Sequence, residues 1–164
     1  MLRETTRSYA GRQLDIEMLK HVERMLPIQR VYPEVHTSPR IVSGIEKAVQ
    51  RYAKTYLTHV GTVRLAGRVG STILHDVWTG RVSNLGTLSY LHALANVSTL
   101  KALREDDARP DIYGELPDDE RIASTEVVNL ELDYSTRTVK VHVRLVTAAG
   151  DTFTFIIPVG SGIK

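Results

Sequence analysis

The apolar positions of this 164-residue chain change their period once, near residue 121. Before that point they recur every three or four residues, the spacing that stacks side chains on one face of a helix. After it they alternate, as on a strand with one buried face. Leu14, Ile16, Met18, Leu19, Val22, Met25 and Leu26 carry a loose helical pattern that ends before Pro27, which predicts one short helix there. Ile28 to Pro33 and the Ser38-Pro39 pair read as extended chain, because a residue preceding proline is pushed out of the helical region. Residues 1–39 are therefore expected either to form an arm that orders on a partner or to pack on the chain's own domain, residues 40–164.

A firmer helix follows. Ile41, Ile45, Ala48, Val49, Tyr52, Ala53, Tyr56, Leu57 and Val60 share one face, and Glu46, Lys47, Gln50, Arg51 and Lys54 occupy the others. Ser43-Gly44-Ile45-Glu46 has the form of a capping box. Gly61, Gly67 and Gly70 then bracket a loop carrying Arg64 and Arg68, a pair able to meet a phosphate or a carboxylate. Ser71 is placed to cap a short helix that runs to about Trp78 and stops at Gly80. Leu85, Leu88, Leu91, Leu94, Ala95, Val97, Leu100 and Leu103 predict a third helix over 87–104. Between Asp106 and Glu120 stand seven acidic residues with Pro110, Gly114 and Pro117, which reads as an exposed loop.

Three strands close the chain. Val127 to Leu132, Val139 to Leu145 and Phe153 to Ile157 are joined by turns at Asp133–Arg137 and Ala148–Asp151, too short to return a parallel strand. The expected fold class is α+β: N-terminal helices followed by a C-terminal three-stranded antiparallel β meander.

Composition narrows the chemistry. With 42% hydrophobic and 24% charged residues the chain has the make-up of one globular domain, and the absence of cysteine removes disulfides, thiolate metal sites and cysteine nucleophiles. No apolar run reaches the roughly 18 residues of a membrane span, and Met1 to Arg7 lacks the apolar core of a signal peptide, so a soluble, unexported chain with no membrane contact is expected. A net charge of +2 gives no electrostatic case for nucleic acid. The distribution is uneven, however: residues 1–70 hold 12 basic and 6 acidic residues, the remainder 9 and 13, a two-faced pattern that would orient assembly with neighbours.

No catalytic, cofactor or metal set emerges. The six histidines form no HExxH pair, the glycines form no phosphate-binding loop, and the acidic loop lacks the register of a calcium site. Ser71, His75 and Asp76 are the beginnings of a triad without an oxyanion-hole signature, so a hydrolase stays as the last alternative. The more pointed feature is the last strand, Thr152 to Val159. It holds both phenylalanines of the chain and few charges, and as an edge it would accept a neighbour's strand unless residues 1–39 or a helix cover it.

Gly44-Ile45-Glu46-Lys47-Ala48-Val49-Gln50-Arg51, then Leu57-Thr58, Gly61-Thr62, Gly67 and Gly70-Ser71, and later Asp119-Glu120-Arg121-Ile122 opening the meander, succeed one another in a familiar order. Over residues 41–159 the chain resembles the small lysozyme-like baseplate wedge proteins of contractile phage tails, also called sheath initiators. The resemblance implies a structural virion protein and no enzyme, "lysozyme-like" being a family label, with no catalytic residue, cofactor or metal to carry over. It implies a role joining wedge subunits near the tail tube and nucleating the sheath by strand addition. The implied partners are other baseplate wedge proteins, the tail sheath and the tail tube or hub, with multiple copies in a symmetric ring. The implied location is the tail baseplate of the virion, reached by assembly in the host cytoplasm. The family's Glu-Pro-Arg triplet reads Asp119-Glu120-Arg121 here, so Arg121 alone is carried over, as the candidate for a buried inter-subunit ion pair. The expected partner-binding residues are Arg121, the strand residues Phe153, Phe155 and Ile157, and the helix-face residues Tyr52 and Tyr56. Another virion assembly role, tail completion or head-to-tail connection, stays open beside this one.

Overall fold

A computed structural model describes residues 15–16, 19–25, 28–33, 41–62, 69–110, 115–136 and 138–160. The strands before residue 41 are described by their backbone. In chain order the elements are β1 (Asp15–Ile16), β2 (Leu19–Met25), β3 (Ile28–Pro33), β4 (Ile41–Val42), α1 (Ile45–Leu57), α2 (Ile73–Trp78), α3 (Leu85–Asp107), β5 (Ile122–Asp133), β6 (Thr138–Thr147) and β7 (Thr152–Gly160). The fold is α+β, and the C-terminal antiparallel meander β5-β6-β7 is present.

The meander is part of something larger. Its sheet has five strands in the order β2-β3-β7-β6-β5, with β2 and β3 antiparallel and β3 running parallel to β7. Gln29 pairs with Phe155 and Arg30 with Ile156. Two expectations are corrected here. Leu19–Met25 is a strand and not a short helix, and β7 is an interior strand between β6 and β3 and not an edge. The extended reading of Ile28 to Pro33 agrees with β3. The loose spacing of Leu19, Val22 and Met25 misled because hairpin pairing with β3 supplies this segment's backbone partners, and seven residues are too few for a helical period to outweigh that.

On the helix side of the sheet, Val139, Val141, Val143 and Leu145 from β6 and Phe155, Ile157 and Val159 from β7 are buried against Ala48, Val49, Tyr52, Ala53 and Tyr56 of α1. The strict alternation on β6 makes this possible: one face is apolar, the other carries Lys140, His142 and Arg144. α1 is nearly surrounded. Lys47 and Gln50, expected on its wet side, are buried as well.

The capping box is replaced. Gly44 is the N-cap of α1 at a positive φ of 63°, no side chain caps the helix, and the Gly44 N–H donates to Glu120 Oε1 at 3.1 Å. Helix α3 begins at a cap that the sequence reading passed over, Asn84, whose Oδ1 accepts from the Thr87 N–H at 2.8 Å. Before α2 the chain makes a close approach at Gly70 (φ 116°): a Cβ there would lie 2.3 Å from the Thr58 carbonyl oxygen. That clearance lets Ser71 N–H bond Thr58 O at 2.8 Å and Val60 N–H bond Ser71 O at 3.1 Å, which clasps the two ends of the intervening loop.

Candidate functional site

β5 is twelve residues long and, among the described residues, paired on one side only, by β6. It is held rigidly all the same. At its start, a charged network ties it to two helices: Lys47 Nζ lies 2.7 Å from Glu120 Oε2, Arg51 donates to the Glu120 carbonyl at 3.4 Å, and Arg51 Nη2 lies 2.5 Å from Asp107 Oδ1 at the end of α3. Glu120 has no exposed surface. A carboxylate so placed is tolerable only because charged and N–H donors reach it. In its middle, Thr125 and Tyr52 both donate to Asn96 Oδ1, at 2.9 and 2.7 Å. At its end, Asp133 Oδ1 accepts from the N–H groups of Ser135 and Thr136 and from the Ser135 hydroxyl. The Ser135 side chain, then that of Thr136, holds the Asp133 carboxyl down at about 2.

The register of β5 on β6 sorts its side chains. Glu126 faces Arg144, Asn129 faces His142 and Glu131 faces Lys140 on the side away from the helices, while Val127 faces Val143 on the helix side. Ion pairs follow, Arg144 to Glu126 at 3.2 Å and Lys140 to Glu131 at 3.1 Å, and His142 Nε2 lies 2.9 Å from Glu131 Oε1. The Lys140 hydrogen bond, the largest influence, lowers Glu131 below its usual value; desolvation comes next and opposes it, and the nearby His142 and Lys140 charges add to the lowering. A register shift between Val127 and Asn129 leaves Val128 as an extra, bulged residue. Val127 and Val128 are 39% and 44% exposed, a small apolar opening on the free edge.

The residues expected at a partner surface sit elsewhere. Phe155, Ile157, Tyr52 and Tyr56 are buried in the chain's own core, and Phe153 packs against it. Tyr52 and Tyr56 stack on each other at 5.7 Å, and Phe155 meets Tyr52 edge-on at 6.0 Å. Burial pushes both phenols up, and Tyr56 O–H is 2.9 Å from His92 Nδ1. Arg121 is half-exposed and pairs with Asp118 three residues before it, so its partner lies in its own turn. The buried charge is its neighbour, Glu120. A carboxylate at the junction of an acidic loop and an alternating strand was the available signal, and the composition of the loop masked it.

The triad candidates do not converge. Ser71 is buried and its hydroxyl donates to the Tyr56 carbonyl at 2.6 Å while accepting from the Ile73 N–H at 3.2 Å. Asp76 pairs with Arg81 at 3.1 Å, and His75 lies against the ring of His59, centroids 5.2 Å apart. Among the described residues no cluster of three His, Asp or Glu is arranged to hold a metal, and no helix is long and apolar enough to cross a membrane. Arg64 and Arg68 lie outside the described residues.

Neither protein-family models, nor curated proteins, nor solved structures gave a match to this chain. Of the two rim strands, β2 and β5, β5 is the one whose side chains are described, and its outer edge is the candidate surface.

Proposed function

We propose that this chain is a structural assembly protein of the small baseplate wedge type, joining neighbouring subunits of a contractile phage tail and nucleating its sheath by strand addition. The acceptor is β5. One observation carries the reading: a long strand, anchored along its length, offers an edge that is unpaired among the described residues, with Val127 and Val128 39% and 44% exposed. An exposed edge of this kind pairs with another chain unless something covers it. The buried engagement of the Ser71 hydroxyl with the backbone of Tyr56 and Ile73 supports binding over turnover. The resemblance over residues 41–159 supplies the setting: a ring of copies at the baseplate, with wedge proteins, sheath and tube or hub as neighbours.

The direct test is density for an assembled tail. The expected result is this chain in a ring at the baseplate, with β5 continuing into a strand of a neighbouring subunit. A chain found at the head-to-tail junction, or a β5 edge facing solvent in the assembled particle, overturns the reading.

A further inference from the structure

The open edge also carries a charge pattern. Residues 122–133 contain three carboxylates, Glu126, Glu131 and Asp133, and no Lys or Arg. On the paired side β6 answers with Lys140 and Arg144, four positions apart, set directly across from Glu131 and Glu126. The open side has the same carboxylates and the same apolar residues but, among the described residues, no strand. Glu126 is two-thirds exposed there.

We infer that the strand completing this sheet belongs to another polypeptide and alternates apolar residues with Lys or Arg, two of the basic residues standing four positions apart as on β6. The inference rests on the strand-addition reading of β5 and adds the chemistry of what is added. Its basic side chains reach Glu126 and Glu131 on the face away from the helices, and its apolar ones cover Val127 and Leu130 on the other, since residues directly across a pair share a face. A second copy of this chain has the wrong chemistry. In an antiparallel β5 pair centred between Val128 and Asn129, Glu126 of each copy meets Glu131 of the other, and like charges opposite one another oppose pairing. The bulge at Val128 further disfavours the regular self-pairing of a flat edge.

The probe is a fluorescein-labelled peptide with the sequence of Thr138–Thr147, titrated against the full-length chain and read by anisotropy. Two sibling peptides replace the residues matching Lys140 and Arg144 by Glu or by Thr. Expected are binding of the basic peptide, at least about tenfold weaker binding of the Glu sibling, and weakening between about 50 and about 500 mM NaCl as charges are screened. Glu126→Lys in the protein reverses the order of the basic and Glu peptides. Its exposed ion pair contributes little to the fold. Should that variant nonetheless unfold, the peptide and salt series on the unaltered protein decide. Equal binding of the basic and Thr peptides overturns the charge inference and leaves strand addition standing, whereas no binding by any peptide overturns both. A dimer of the free chain that Val127→Lys dissociates makes a second copy the occupant and overturns the inference.

Discussion

Glu120 ties the start of β5 to α1 through both its side chain and its backbone. Its carboxylate takes the Lys47 ammonium on one oxygen and the N–H of Gly44, the N-cap of α1, on the other, and its carbonyl receives Arg51. Removing one member of a buried pair leaves the other charge uncompensated, which costs more than the pair itself contributes. Glu120→Gln keeps an acceptor for Gly44 but leaves Lys47 facing a neutral amide. The expected loss is about 3 kcal/mol in urea unfolding. Adding Lys47→Met to that variant is expected to recover most of it, because the stranded charge is gone. Equal losses for the single and double variants would refute the account. The family resemblance marked Arg121, next door, as the residue of interest. Pattern alone does not say which of three consecutive polar residues turns inward, because a turn reorients side chains without a period.

At the scale of elements, the three helices and the meander were legible because each repeats its signal over many residues. α1 buries Ala48, Val49, Tyr52, Ala53 and Tyr56 as its spacing predicts, and α3 extends a few residues past the predicted 87–104 at both ends. The apolar ladder of α3 divides, however: Leu88, Ala95 and Leu103 are buried, while Leu85, Leu94 and Val97 stay exposed beside Tyr90. α1 and α3 are joined by Tyr56 and His92, and burial lowers His92 below its ordinary value of 6.5. A depressed histidine binds a proton more readily when unfolded than when folded, so stability is complete above about pH 6.5 and falls as the pH is lowered below it. Denaturant midpoints between about pH 5 and 7 are expected to show this decline in the native protein, and a flatter profile in His92→Gln. An unchanged slope in the variant assigns the proton elsewhere.

For the whole molecule, what matters is which strands lie at the rims of the sheet. β3 comes from one end of the chain and β7 from the other, and their parallel pairing makes β7 interior while leaving β5 open. Native-state hydrogen exchange reads this directly. The amides of Phe155 to Ile157 are expected to exchange at least about 100-fold more slowly than those of Val127 to Asn129. Comparable rates would mean that β7 is an edge in solution after all. The α+β class, the order of the three helices before the meander and the antiparallel meander itself were determined by the sequence, since each depends on contacts between near neighbours or on residue types alone. Tertiary structure decided that an N-terminal hairpin extends the sheet beyond β7, that Tyr52, Tyr56, Phe155 and Ile157 serve the core, and that Glu120 is the buried acid. These outcomes depend on contacts between segments far apart in the chain, and the alternation of a strand reports which face is apolar but not which neighbour lies along its edge.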